Sequence, residues 1–177
     1  MGATGVGTAV TYRLLEQRDI GAFVSWRGGD PYIDGLLWLS IGEHSERLRF
    51  ILMALADEEI VGTVALVRTH PDADMADGEQ SGYVEALEVK EGWRRRGVAG
   101  AMLARLAGLA VQEGFSRLTV MVEPHNEPAL AFFNRLGFRA FKRSEFIWRG
   151  NTRPVVCLEG TVRGNHAAAG SGQGAFL

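Results

Sequence analysis

The sequence predicts an α+β fold, and three observations predict it. Residues 50 to 56 and 60 to 68 are apolar runs of strand length joined by Asp57-Glu58-Glu59, which makes them antiparallel neighbours. Residues 138 to 148 and 155 to 158 repeat that arrangement near the C-terminus, separated by Arg149-Gly150-Asn151-Thr152-Arg153-Pro154. Between the two hairpins, a strand over 83 to 89, a helical pattern from Val98 and a second strand over 117 to 122 follow one another. A strand, helix, strand succession implies a right-handed parallel pairing.

The chain has 177 residues, of which 46% are hydrophobic, enough to bury the core of one domain. That domain is expected over residues 1–160, with 161–177 as a flexible tail because its small residues can bury little. A formal net charge of −2 and a pI near 6.1 give no basic field of the kind that drives nucleic-acid binding. There is no apolar run of membrane-spanning length and no secretory leader pattern, and a lone cysteine, Cys157, has no partner for an internal disulfide. A cytoplasmic location and no membrane partner are the expectation.

In order, Gly2 to Thr8 read as a loose lead and Ala9 to Leu15 as a first strand. Asp19 is placed to cap a helix carrying Ile20, Phe23, Val24 and Trp26, which ends in the breaker cluster Arg27-Gly28-Gly29-Asp30-Pro31. Residues 32 to 48 form a second helical segment with Tyr32, Trp38 and Leu39. Gly62, inside the strand over 60 to 68, signals a bulge or a close backbone approach. The loop from Thr69 to Ser81 holds Asp72, Asp74, Asp77 and Glu79. It reads as a solvated loop, or as a cluster that attracts a cationic amine; a calcium loop would need further ligands and a glycine it lacks.

The stretch from Gly82 to Met102 organises the rest. Tyr83 to Val89 are strand-like, and from Val98 two apolar rows run at helical spacing: Val98, Met102, Leu106, Ala110 and Ala99, Leu103, Ala107, Val111. Arg94, Arg95, Arg96 and Gly97 lie between them, so the first backbone N–H groups of the helix emerge beside concentrated positive charge. A helix start, a glycine that admits an anion to the main chain and forked arginine donors together make an anion site, whereas an isolated arginine triplet is a solvated loop. After the strand over 117 to 122 comes Glu123-Pro124-His125-Asn126, where Asn126 or Glu127 can cap a short helix that stops at Gly137.

Two spacings raise the anion reading above the bland one. Arg94-x-x-Gly97-x-Ala99 after Leu87-Glu88-Val89 resembles the acetyl-CoA pyrophosphate signature of the GNAT superfamily of N-acetyltransferases. Asn126-x-x-Ala129-x-x-Phe132-Phe133-x-x-Leu136-Gly137-Phe138 resembles that superfamily's second signature. The resemblance covers roughly residues 9 to 159.

It implies a mixed, mostly antiparallel sheet flanked by helices, with strands 83–89 and 117–122 parallel but splayed at their C-terminal ends. It implies acetyl-CoA as cosubstrate, with Leu87, Glu88 and Val89 along the pantetheine arm and Arg94, Arg95, Arg96, Gly97, Val98, Ala99 and Gly100 around the pyrophosphate. Asn126, Ala129, Phe132 and Phe133 are implied on the same cofactor, and the cap role of Asn126 can coexist with that. The partner is an amine acceptor, of a small molecule or of a peptide or protein, with the first helical region as part of the acceptor wall and a homodimer as a possible assembly. Glu85 is the candidate general base, four positions before Val89, and Tyr83 is the reserve on the same strand face. An ordinary ion-paired role for Glu85 is the alternative. Phe133 stands where these enzymes commonly carry a tyrosine that protonates the leaving thiolate. That departure keeps a non-catalytic acyl-CoA-binding or sensing domain open.

Overall fold

A computed structural model describes residues 9–163. β1 (Val10–Leu14), α1 (Ile20–Arg27), α2 (Pro31–Ser45), β2 (Arg49–Ala56), β3 (Glu59–Val67) and β4 (Ser81–Val89) make up the first half. α3 (Val98–Gln112), β5 (Arg117–Val122), α4 (Glu127–Arg135), β6 (Arg139–Trp148) and β7 (Asn151–Thr161) complete it, and single 3₁₀ turns lie at Gln17–Asp19 and Glu91–Trp93. The strands form a mixed sheet in the order β1-β2-β3-β4-β5-β7-β6, and β4 with β5 is parallel. The expected architecture of helices flanking a mixed sheet is therefore present.

The chain divides into two compact units. Among the described residues, one comprises 9–64 together with Ala86–Met102, and the other Ala65–Glu85 together with 103–163. In the first, β1 pairs antiparallel with β2 from Val10↔Ala56 to Leu14↔Leu52. His44 pins α2 to that pair: its Nε2 meets the Leu15 carbonyl at 2.9 Å and its Nδ1 accepts from the Ile51 N–H at 3.1 Å. Asp19 does not cap α1 with its side chain. Its carboxylate takes the two terminal guanidinium nitrogens of Arg13 and the N–H of Glu16 instead, a bidentate ion pair that outweighs a single bond to a helix N–H. Asp30 caps α2, accepting from Tyr32 and Ile33 N–H groups, with Pro31 at the start of the helix. Gly62 marks a close approach: a Cβ there would stand 2.9 Å from Met102 Cε and 3.1 Å from the Glu88 carbonyl oxygen.

In the second unit, Met75, Val155 and Cys157 form a buried cluster against which Tyr83, Met121, Phe141 and Phe146 pack. Gly82 lies beneath Leu66, Phe115 and Leu118, where a Cβ would come within 2.6 Å of Leu66 Cδ1. The last hairpin differs from expectation. Its turn is Arg149-Gly150 alone, at φ 50° and 75°, the paired left-handed conformation of a two-residue hairpin turn, so β7 begins at Asn151 rather than Val155. Pro154 is tolerated inside β7 because β5 pairs only with Val156–Thr161, leaving the side of the strand around Pro154 without a ladder to break. At the other end, β7 runs through Thr161, and Val162 is buried with its N–H on the Ser116 carbonyl. The rest of the expected tail, and the lead Gly2 to Thr8, lie outside the described residues.

The acidic loop before β4 is built into the protein. Lys142 Nζ stands 2.8 Å from a carboxylate oxygen of each of Asp72 and Asp74, Asp77 Oδ1 accepts from the N–H groups of Glu79, Gln80 and Ser81, and Met75 and Ala76 are buried between them. These carboxylates have partners inside the chain, which weakens the reading of the loop as an amine attractor. The Lys142 ammonium holds Asp72 below the usual carboxylate range, the Ser81, Glu79 and Gln80 N–H groups do so for Asp77, and the Arg13 guanidinium does so for Asp19. Each pKa is depressed on folding, so each contributes stability above its unfolded value, and that contribution disappears as pH falls through the lower folded value. The melting temperature is expected to hold level down to about pH 5 and to fall below about pH 4. Thermal melts across that range check this, and an unchanged melting temperature at pH 3 would refute it.

Candidate active site

β4 is not a regular strand. Ala86 takes φ 54°, a left-handed conformation uncommon outside glycine, and such a residue within a strand marks a bulge that re-aims the side chains beyond it. In an unbroken strand residues 85, 87 and 89 would share one face, and Ala86 breaks that alternation. Tyr83 and Glu85 keep their common face on one side of the break, Leu87 and Val89 theirs on the other. The parallel ladder with β5 runs from Ser81↔Arg117 to Val84↔Val120 and ends there, so Glu85 is the first residue of β4 beyond it. Tyr83 packs on the Met75, Val155 and Cys157 cluster with its ring centroid 5.0 Å from that of His70. Burial pushes the His70 imidazole down in pKa, favouring its neutral form beside the phenol.

Past the break, Glu88 meets Arg27 of α1 at 3.3 Å, which ties the corner between α1 and α2 to β4. Nothing in the sequence signalled that pairing, which joins residues 61 apart. The corner is stiff: Asp34 Oδ1 accepts from the Gly29 N–H at 3.1 Å, and a Cβ on Gly28 would stand 2.5 Å from the same oxygen. On α2, Tyr32, Leu36, Trp38 and Leu39 are exposed.

The loop after β4 carries the predicted anion site. Lys90 N–H bonds the Val61 carbonyl at 2.8 Å, the turn Glu91–Trp93 follows, and Arg94 Nε donates to the Val89 carbonyl at 3.0 Å. The Arg96 guanidinium lies 5.1 Å from the centre of the Trp93 ring; an aromatic directly before three arginines was the available signal for that stack. Gly97 has φ 80°, and apart from adjoining residues and the backbone of α3 itself no heavy atom lies within 4 Å of where a Cβ would sit on it or on Gly100. The first bond of α3 is Ala101 N–H to the Gly97 carbonyl, so the N–H groups of Val98, Ala99 and Gly100 precede the helical ladder. Open backbone, early helix N–H groups and arginines fit a pyrophosphate.

The second predicted group lies on α4. Asn126 Oδ1 accepts from the Ala129 N–H at 3.2 Å, the expected cap, with Pro128 in the first turn. Phe133 is 3% exposed and packs edge-on against Phe132 at 5.3 Å and Phe138 at 5.2 Å. Its ring belongs to the core under α4.

A family model described as the acetyltransferase (GNAT) family matches residues 11–138. The chain is 35% identical over 71 residues to N-alpha-acetyltransferase MAK3 of Arabidopsis thaliana, a match covering 39% of this chain and 37% of that protein. It is 28% identical over 107 residues to L-ornithine N5-acetyltransferase NATA1 of the same plant, covering 60% of this chain and 44% of that one. These matches thus span less than half the length of either relative. The fold is similar to that of Arabidopsis thaliana NAA60 in complex with acetyl-CoA, with a TM-score of 0.68 at 17% identity, covering 88% of this chain and 100% of the other. With the family match spanning both signatures, the chain belongs to the GNAT family of acetyltransferases, whose cosubstrate is acetyl-CoA.

Proposed function

We propose that the protein transfers the acetyl group of acetyl-CoA to a primary amine, by direct attack in a ternary complex. The observation that carries this reading is the start of α3, where the N–H groups of Val98, Ala99 and Gly100 meet an open glycine and the arginine loop. In this reading those groups hold the pyrophosphate, and Leu87, Glu88 and Val89 run beside the pantetheine arm. Glu85 takes the proton of the acceptor ammonium. The amine nitrogen then attacks the thioester carbon and gives up its second proton to water as the carbon–sulfur bond breaks, while the departing thiolate takes a proton from water or from the Tyr83 hydroxyl, which regains one from the same water. A backbone N–H near Val89 polarises the carbonyl.

The two curated relatives are named for an Nα acceptor and for N5 of L-ornithine, which supports an amine nitrogen without choosing between a peptide and a small molecule. The exposed Tyr32 and Trp38 on α2, beside the corner tied by Arg27 to Glu88, are the proposed acceptor wall. A cytoplasmic site of action accords with the single unpaired cysteine, and no helix among the described residues is long and apolar enough to cross a membrane. A homodimer is proposed as the assembly, and light scattering tests it.

The second reading, an acyl-CoA-binding or sensing domain without turnover, is favoured by Phe133, which has no proton to give and is buried. One assay separates the two: thiol release from acetyl-CoA with a panel of amines and peptides, products read by mass spectrometry. Amine-dependent release with an acetylated product is expected. Tight acetyl-CoA binding with no release from any acceptor would favour sensing.

A further inference from the structure

The three loop arginines share a charge but not a posture. Arg96 stacks on Trp93 and Arg95 takes φ 60°, whereas Arg94 turns back on its own strand and donates Nε–H to the main-chain oxygen of Val89 at 3.0 Å. Two backbone bonds run the same way, Trp93 N–H to the Lys90 carbonyl at 2.8 Å and Arg94 N–H to the Glu91 carbonyl at 3.1 Å. Residues Val89 to Arg94 are thereby closed into a small ring whose outermost link is a side chain. Lys90 anchors that ring to β3 through the Val61 carbonyl.

We infer that Arg94 is a positioning residue. Its Nε–H bond to Val89 fixes the path from the end of β4 to the start of α3, and so holds the N–H groups of Val98, Ala99 and Gly100 where an anion meets them. What this role requires is a donor at the fourth side-chain position, not a positive charge. An exposed loop closed only by its backbone would sample many conformations and would have to be ordered by the cofactor on binding, which lowers affinity. The inference rests on the pyrophosphate role proposed for this loop.

Side-chain geometry supplies a test. Gln carries Nε2 as many bonds from its backbone as Arg carries Nε, so Arg94→Gln keeps the donor and loses the charge. Arg94→Lys keeps the charge, but a methylene occupies the donor's place. Acetyl-CoA affinity by calorimetry, with kcat and the two KM values, is measured for the parent and for the Ala, Gln and Lys variants, each first checked for a parental melting temperature. The expected result is that Arg94→Gln stays within about twofold of the parent while Arg94→Ala and Arg94→Lys lose about tenfold in affinity, of the order of one net hydrogen bond. The loss falls on the KM for acetyl-CoA and leaves the acceptor KM unchanged. The salt dependence of binding is the same for the Gln variant and the parent, since no phosphate contact is removed.

The order of the two variants decides. Arg94→Lys binding better than Arg94→Gln, Gln falling to the level of Ala, or parental affinity in Arg94→Ala each overturns the positioning role. A parent protein that does not bind acetyl-CoA overturns the function on which this inference rests, and calorimetry on the parent alone reveals that.

Discussion

Glu85→Gln is expected to lower the rate of acetyl transfer by about 10²–10⁴ while leaving acetyl-CoA affinity unchanged. The substitution keeps the size and hydrogen-bonding reach of the side chain and removes only its capacity to accept a proton. Glu85 is the first residue of β4 beyond the parallel ladder and stands immediately before the left-handed Ala86, where the strand changes its side-chain direction. Backbone distortion of this kind is concentrated at functional sites, and it is maintained by the surrounding structure. The sign of the pH dependence follows from the chemistry. An amine of ordinary pKa near 10 is almost wholly protonated at pH 7 and needs a base; toward pH 10 a growing share is neutral without one. The deficit of the variant should therefore narrow as pH rises. A parental rate at pH 7 would exclude Glu85 as the base and leave bulk water or Tyr83 in that role.

Phe138→Ala should be the most damaging truncation in the second unit. The ring is fully buried, packs edge-on against Phe133 at 5.2 Å, and covers Gly160 so closely that a Cβ there would lie 2.9 Å from it. Removing a phenyl group from such a site costs about 3–5 kcal/mol, which for a chain of this size lowers the melting temperature by roughly 6–20 °C. The partnership with Gly160 gives a sharper check. Gly160→Ala alone should destabilise through overlap with the ring, yet in the Phe138→Ala background the added methyl enters vacated space and should restore part of the loss. Additive effects of the two substitutions, measured by denaturant unfolding, would mean that the ring and the glycine do not share that space.

Much of this was legible in the sequence because its signals are local. The rows Val98-Met102-Leu106-Ala110 and Ala99-Leu103-Ala107-Val111, the cap at Asn126 and the stop at Gly137 each depend on residues within a few turns of one another. Both family signatures are likewise contiguous. Three features were not legible, for different reasons. Ala86 reads as an ordinary strand residue, because its left-handed conformation is imposed by the surrounding structure and alanine has no preference for it. Lys142 bridges Asp72 and Asp74 across 70 and 68 residues of chain, a distance over which residue patterns carry no pairing information. Asp19 looked like a helix cap by its place in the sequence, and Arg13, six residues away on β1, drew its carboxylate off. The Arg149-Gly150 turn was the nearest miss: the whole segment from Arg149 to Pro154 reads as a loop, because residue types alone do not show that Asn151 to Pro154 pair with β6 on one side only.

The buried state of Cys157 has a practical meaning for the bench. It is the sole thiol of the chain, fully enclosed, and its surroundings push its pKa up, so little thiolate is present and none of it meets solvent. A colorimetric reagent that reports coenzyme A release should accordingly record product without background from the native protein. The same reagent becomes a clock for opening of the second unit, since labelling of Cys157 has to wait until the strand that carries it separates from its neighbours. One mixture, followed first with acetyl-CoA and then without it, reads both turnover and the lifetime of the folded state.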